Sequence, residues 1–200
     1  MGKDQSRVGL EFEFIPEDGT LPYDPNAPRN TVDHLQWVKR EDVLETIQPD
    51  RVSLSLLLVN IERDNNVGNI IRSANTFGVK EVLLYGRKKF DRRTSVGAEF
   101  FMKFRHIRFI EQLSGLKEEF DLVVGLEQTK DSVNLREYQW KNDQKVLLIV
   151  GHEGLGLPEE VLAMCDETLE IEQFGTMRSL NVSVATGIAL YDYRFKNSLI

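Results

Sequence analysis

The chain has little with which to cross-link itself or to hold a metal. It carries one cysteine, Cys165, and three histidines, His34, His106 and His152, far apart in its 200 residues. One thiol cannot close an internal disulfide, and these residues show no metal-ligand spacing, so neither a disulfide framework nor structural zinc is expected and the metal set is read as none. Long apolar runs are also missing. The two strongest, Ser53 to Val59 and Lys145 to Val150, fall far short of the ~18 residues a membrane span needs, and no cleavable signal is seen at the start. The expectation is a soluble cytoplasmic protein with no membrane partner.

What is present suffices for one ordinary domain with an appendage of about a quarter of the chain, since domains run to roughly 150 residues. Hydrophobic residues at 41% and charged residues at 28% are near the globular average, so a core can form. The net charge of −7 argues against a polyanionic partner until its distribution is read. Residues 1–50 hold 11 Asp/Glu against 5 Lys/Arg, so the other 150, with 21 acids and 20 bases, carry only −1. Within that near-neutral body, Tyr85 to Arg108 holds eight Lys/Arg against Asp91 and Glu99, a local +6. Arg87, Lys88, Lys89, Arg92 and Arg93 lead this island and are candidate contacts for nucleic-acid phosphates; a solvated surface is the alternative.

Two regions differ in texture. Residues 1–50 form an acidic arm, with Pro16, Pro22, Pro25 and Pro28 clustered early and a short helix between Thr31 and Gln48 ended by Pro49. Packing on the body and partial disorder are both open for it. Residues 51–200 alternate continuous apolar runs with amphipathic segments, which predicts an α/β fold with a mostly parallel sheet flanked by helices. Strands are expected at Ser53 to Val59, Glu81 to Tyr85, Ile107 to Phe109, Asp121 to Leu126, Lys145 to Val150 and Thr168 to Ile171. Helices are expected at 66–77, 95–103, 111–119, 158–165 and 181–196. Such a sheet binds ligands beyond the carboxyl ends of its strands, so loops 60–68, 86–94, 127–134 and 151–157 should face the working edge.

Three segments carry candidate chemistry. Gly151-His-Glu-Gly-Leu-Gly-Leu-Pro158 follows a buried strand and opens a helix. Its GxxGxG spacing is not the dinucleotide fingerprint, and no Gly-Lys-Ser/Thr follows, so neither NAD nor ATP is supported. A tight turn explains the glycines as well as a ligand does; Glu153 among them is either a dipole-favoured charge or a group held for chemistry. In Asn65 to Gly78, Ile70, Ile71, Ala74 and Phe77 fall on one helix face, Asn66 is placed to cap the helix, and Arg72 projects along its polar flank. In Gly175 to Tyr191, Ser179 and Asn181 stand where a polar loop meets a helix rich in small residues, and one of them can be its N-cap.

Together these segments resemble the SpoU, or TrmH-like, branch of the SPOUT RNA 2′-O-ribose methyltransferases. Asn66-Val-Gly-Asn-Ile-Ile-Arg72 resembles its first motif, Ile149-Val-Gly-His-Glu-Gly-Leu-Gly156 its second, and Ser179-Leu-Asn-Val-Ser-Val-Ala185 its third. Ser95-Val-Gly-Ala98 and Gly125-Leu-Glu-Gln-Thr129 are similar to connecting patterns of that branch. The chain departs from it at Ile171-Glu-Gln-Phe, where Ile-Pro is frequent, and at Leu190-Tyr-Asp, where Leu-Tyr-Glu is.

The resemblance implies a deep C-terminal trefoil knot, which periodicity does not predict and general topology rules disfavour. It implies a homodimer whose active site is completed across the interface. It also implies transfer of a methyl group from S-adenosylmethionine to a ribose 2′-hydroxyl, leaving S-adenosylhomocysteine. By resemblance the catalytic set is Arg72, Asn66, Glu153, Ser179 and Asn181, and the cofactor set is Leu126, Gly151, Gly156, Ile171 and Leu180. A guanidinium is a poor base, so Arg72 is read as stabilising a developing oxyanion, with base behaviour left open. The absence of room for a large RNA-binding domain tilts the substrate toward tRNA over rRNA. An RNA base methylase and a catalytically silent RNA-binding module are the rival readings.

Overall fold

All six residues of Leu54–Val59 (β1) and all five of Val146–Val150 (β6) are buried, which a strand achieves only when both faces of its sheet are covered. In this computed structural model, which describes residues 42–43 and 51–197, the two strands lie side by side at the centre of a seven-stranded sheet. The others are Glu81–Tyr85 (β2), Phe104–Ile107 (β3), Leu122–Leu126 (β4), Val133–Asn134 (β5) and Glu167–Glu170 (β7). The order is β3-β2-β1-β6-β4-β7-β5, and every pairing is parallel. Helices are Asp64–Thr76 (α1), Arg92–Ser95 (α2), Glu111–Lys117 (α3), Glu159–Leu162 (α4) and Val182–Asn197 (α5), with a 3₁₀ turn at Ala98–Phe101. Among the described residues no helix is long and apolar enough to cross a membrane.

The period of two along each strand sorts the core into two layers. Leu54, Leu56, Leu58, Val82, Leu84 and Leu148 pack with Ile70, Ile71 and Ala74 of α1 and Ala189, Leu190 and Tyr193 of α5. Leu57, Val59, Leu83, Leu147 and Ile149 pack on the other side with Leu113 and Leu116 of α3 and Val161 of α4. Cys165 lies against this second layer. Burial, with Asp166 adding to it, pushes its thiol up to about 11, so it is an inert filler and not a nucleophile.

Three sequence expectations are corrected. The expected helix at 95–103 is two short pieces, because Val96 and Gly97 both take positive φ, 52° and 85°, and break it. The strand expected at Ile107 to Phe109 runs instead over Phe104–Ile107, in register with β2 from Val82↔Phe104. Arg105 can lie in that edge strand because it pairs with Glu81 and Glu119 at 3.2 and 2.7 Å, a polar solution that an apolar-run search does not detect. Asn66 does not cap α1: the N-cap is Arg63, in extended conformation with no side-chain cap bond, and Asn66 is buried. The two-residue β5 was not expected. Of the helix expected between Thr31 and Gln48, Asp42 and Val43 are helical and Val43 is buried; the rest lies outside the described residues.

At the C-terminal end, α5 is fastened to the segment between β5 and β6. Lys196 Nζ donates to the carbonyls of Leu135, Arg136 and Tyr138 at 2.9, 3.0 and 2.9 Å and pairs with Asp192 at 2.8 Å. Trp140 Nε1 donates to Asp192 at 2.8 Å, and the Trp140 ring lies edge-on to Tyr193.

Candidate active site

Beyond the carboxyl ends of β1 and β6, the three motif segments are joined by side chains. Glu153, in the loop after β6, accepts hydrogen bonds at Oε2 from the Glu62 N–H (2.8 Å) and at Oε1 from the Arg63 N–H (3.1 Å). Its Oε1 also accepts from the Asn66 amide at 2.7 Å. Asn66 Oδ1 in turn accepts from Asn181 Nδ2 at 3.1 Å. Asn181 is the residue that caps α5, since its Oδ1 accepts from the N–H and the hydroxyl of Ser183 at 2.9 and 2.6 Å. The buried Asn66 thus uses both ends of its amide to tie the second motif to the third.

Burial works to raise the Glu153 carboxyl. The Glu62 N–H, the Asn66 amide and the Arg63 N–H outweigh it and hold the group below its ordinary value. A lowered acid contributes stability that is complete above its unfolded pKa and is lost as pH falls through its folded one. Urea denaturation of the protein and of Glu153→Gln should therefore differ at neutral pH and converge below roughly pH 4.

A cavity of about 320 Å³ opens beside this junction, at the low end of the ~300–1,000 Å³ of small-molecule sites. All five expected cofactor residues, Leu126, Gly151, Gly156, Ile171 and Leu180, line it, together with Glu153 and Ser179. Its glycines have a structural cause. His152 and Gly156 form an antiparallel bridge, with N–H to carbonyl bonds of 3.2 and 2.9 Å, that closes the loop on itself. A Cβ on Gly151 would stand 2.6 Å from the Gly156 carbonyl carbon and oxygen; Gly156 has φ of +68° and its Cβ would stand 2.4 Å from Glu127.

Glu127 is the residue that sequence reasoning missed. It lines the cavity, and its carboxylate accepts from the Leu157 N–H at 2.9 Å and the Gln128 N–H at 3.0 Å, clamping the loop after β4 to the loop after β6. The signal was an acid directly after a buried strand, inside the Gly125 to Thr129 pattern.

Arg72 stands apart. Six residues beyond Asn66 it is about 9 Å further along α1 and roughly 120° around it. It is exposed, it does not line the cavity, and among the described residues its guanidinium has no hydrogen bond or ion pair. The basic island is also quieter than its composition. Arg87 pairs with Asp64 at 2.6 Å, Arg93 with Asp91 at 2.9 Å, and Arg92 with the buried Glu99 at 3.0 Å. Lys88 is exposed.

Among the described residues, Glu62, His152 and Glu153 are the only group clustered closely enough to suggest a cation. His152 Nδ1 accepts from the Gly154 and Leu155 N–H groups at 2.9 and 3.3 Å, which puts the neutral ring's proton on Nε2, facing Glu62 at 3.7 Å. The imidazole therefore presents a donor to that carboxylate, and the Glu153 oxygens are already engaged. The set fits a hydrogen-bonded hinge better than a metal site.

A parallel α/β sheet with a cavity at the carboxyl ends of its strands, walled by their loops and by the entrance of a C-terminal helix, defines a small-molecule-binding α/β protein. The chain belongs to the SpoU rRNA Methylase family, which matches residues 53–191. The tRNA (guanosine(18)-2′-O)-methyltransferase of Thermus thermophilus is 33% identical over 156 residues, 76% of this chain and 78% of that protein. Among solved structures, the TrmH/SpoU tRNA modifying enzyme of A. aeolicus superposes with a TM-score of 0.70 at 26% identity, covering 80% of this chain and 84% of that one. The AdoMet-bound rRNA methyltransferase of Sinorhizobium meliloti does so with a TM-score of 0.67 at 27% identity, covering 78% and 60%. Two curated relatives, from Saccharomyces cerevisiae and Mus musculus, are far longer: the match spans 11% and 9% of their length.

Proposed function

We propose that this chain is an S-adenosylmethionine-dependent methyltransferase acting on a ribose 2′-hydroxyl of structured RNA, with tRNA favoured over rRNA. The observation that carries the reading is the Glu153–Asn66–Asn181 junction, which joins all three motif segments beside one cavity. The activity named for the Thermus relative and the AdoMet bound in the S. meliloti structure support it.

The cavity fits such a cofactor in kind. Leu126, Leu169, Ile171, Leu180 and Val182 supply apolar wall for a flat heterocycle, and the loop backbones after β4, β6 and β7 supply polar groups around it. When bound, the cofactor supplies a methyl carbon on a sulfonium: its C–S bond breaks as the ribose O–C bond forms, the hydroxyl proton leaves to water, and a neutral thioether remains. The chain's part is to bind, orient and stabilise charge. Glu153 and Asn66 hold the loop after β1 and the start of α1 against the cavity. Asn181 fixes the entrance of α5, and Ser179 lines the cavity beside it. The guanidinium of Arg72 is suited to hold a developing alkoxide, since a guanidinium is a strong hydrogen-bond donor and a poor base.

Arg72 lies outside its own cavity, so this reading includes a homodimer in which a second copy completes the site. The support is a stripe on α5: Val184, Ile188, Tyr191 and Phe195 are 51%, 40%, 53% and 49% exposed at spacings of four, three and four. Tyr191 packs edge-on to Phe77, the C-cap of α1, so the stripe adjoins the helix that carries Arg72. The reading also includes a C-terminal trefoil knot, supported by the fastening of α5 to residues 135–140. It places the protein in the cytoplasm and treats residues 1–50 as an acidic arm on a methyltransferase domain of 51–200, with Lys88 and its neighbours toward the RNA. No metal enters it.

The test is incubation with methyl-labelled cofactor and unmodified tRNA or rRNA transcripts. Label is expected in alkali-resistant dinucleotides, first from tRNA, with the protein sedimenting as a dimer. Label on bases would mark a base methylase, and RNA binding without any label would mark a silent module; either overturns the proposal.

A further inference from the structure

The charges around the cavity are of one sign. Glu127, Glu153 and Glu170 line it, and no lysine or arginine does so among the described residues. His152, which also lines it, turns its Nδ1 to the backbone N–H groups of Gly154 and Leu155. Two of the carboxylates are held in place by the fold: Glu127 by the Leu157 and Gln128 N–H groups, Glu153 by Glu62, Arg63 and Asn66. Both clamps would survive replacement by a neutral acceptor only in part, so the loop conformation and the negative field come from the same atoms.

We infer that this cavity discriminates by charge between a cationic methyl donor and the neutral thioether that remains after transfer, with Glu127 and Glu170 as the specificity-determining residues. The inference rests on the cofactor reading above and adds to it. Donor and product share a nucleoside and an amino-acid tail, so shape separates them by one methyl group. The larger difference is the sulfonium charge, which vanishes in the reaction. A field from carboxylates in a partly enclosed pocket favours the charged form and releases the neutral one. Such a field opposes product inhibition. It also steadies the charge that must disperse during transfer, so neutralising it weakens donor binding without a matching loss in turnover.

The experiment is calorimetric titration of the full-length protein with S-adenosylmethionine and with S-adenosylhomocysteine, at low and high salt. Wild type is expected to prefer the donor, and the preference to narrow with salt. Glu170 has no side-chain bond among the described residues, so Glu170→Gln should keep its fold and lower donor affinity by about five-fold while leaving product affinity unchanged. Glu127→Gln turns an amide NH₂ toward a backbone N–H and should weaken both ligands; the ratio between them isolates the charge effect, and it too should fall. An unchanged ratio in both variants overturns the inference and leaves the cofactor reading standing. Wild type that binds neither compound overturns the cofactor reading itself.

Discussion

Arg72→Ala should abolish methyl transfer, lowering turnover by about 10²–10³-fold or more, while cofactor affinity and stability stay near wild type. The separation follows from geometry. The side chain is exposed on α1, makes no hydrogen bond or ion pair among the described residues and lies off the cavity wall, so its loss breaks no polar bond of the fold. Substitution of such a surface position changes stability by about 0.5 kcal/mol or less. Single-turnover transfer, calorimetry and thermal unfolding measure the three quantities separately. Arg72→Lys keeps the charge without the planar fork and should restore only part of the rate. A fully active Arg72→Ala enzyme would remove the oxyanion role from the mechanism.

Gly151→Ala should eliminate cofactor binding and destabilise the fold by about 2–4 kcal/mol. The added Cβ would meet the Gly156 carbonyl at 2.6 Å and the Leu157 nitrogen at 2.8 Å. These are backbone atoms with no rotamer to change. Relief requires opening the His152–Gly156 bridge, and with it the bond from the Leu157 N–H to Glu127. Gly154→Ala is the control in the same loop: its Cβ would find only the His152 ring, at 3.8 Å, and both stability and affinity should hold. Urea denaturation and calorimetry on the pair decide it, and equal behaviour of the two variants would refute the packing argument.

Much of the fold was readable along the chain because burial on both faces leaves a local mark. The central strands are unbroken apolar runs, and the observed β1, β2, β4 and β6 lie within one residue of the stretches that composition marks out. The candidate site was readable through resemblance: Gly151, Glu153, Asn66 and Asn181 stand in compact segments that resemble the motifs of one family. Edge structure was harder to read. Arg105 and His106 occupy β3 because their polar groups reach partners at the sheet margin. Val96 takes a left-handed conformation that no β-branched residue advertises.

Periodicity and residue type act over a few neighbours, so they were enough for the parallel α/β class and the glycine turn after β6, while the candidate site segments were marked by family resemblance. How those pieces are used depends on the folded chain. It turned Asn66 from a helix cap into the bond between Glu153 and Asn181, made Glu127 a clamp, matched Arg87 with Asp64 and Arg92 with Glu99, and left Arg72 facing outward. Hydrogen bonds and ion pairs form between atoms that the folded chain brings within about 3 Å, whatever their distance in sequence. Asn66 and Asn181 are linked across 115 residues, and that separation has no local signature.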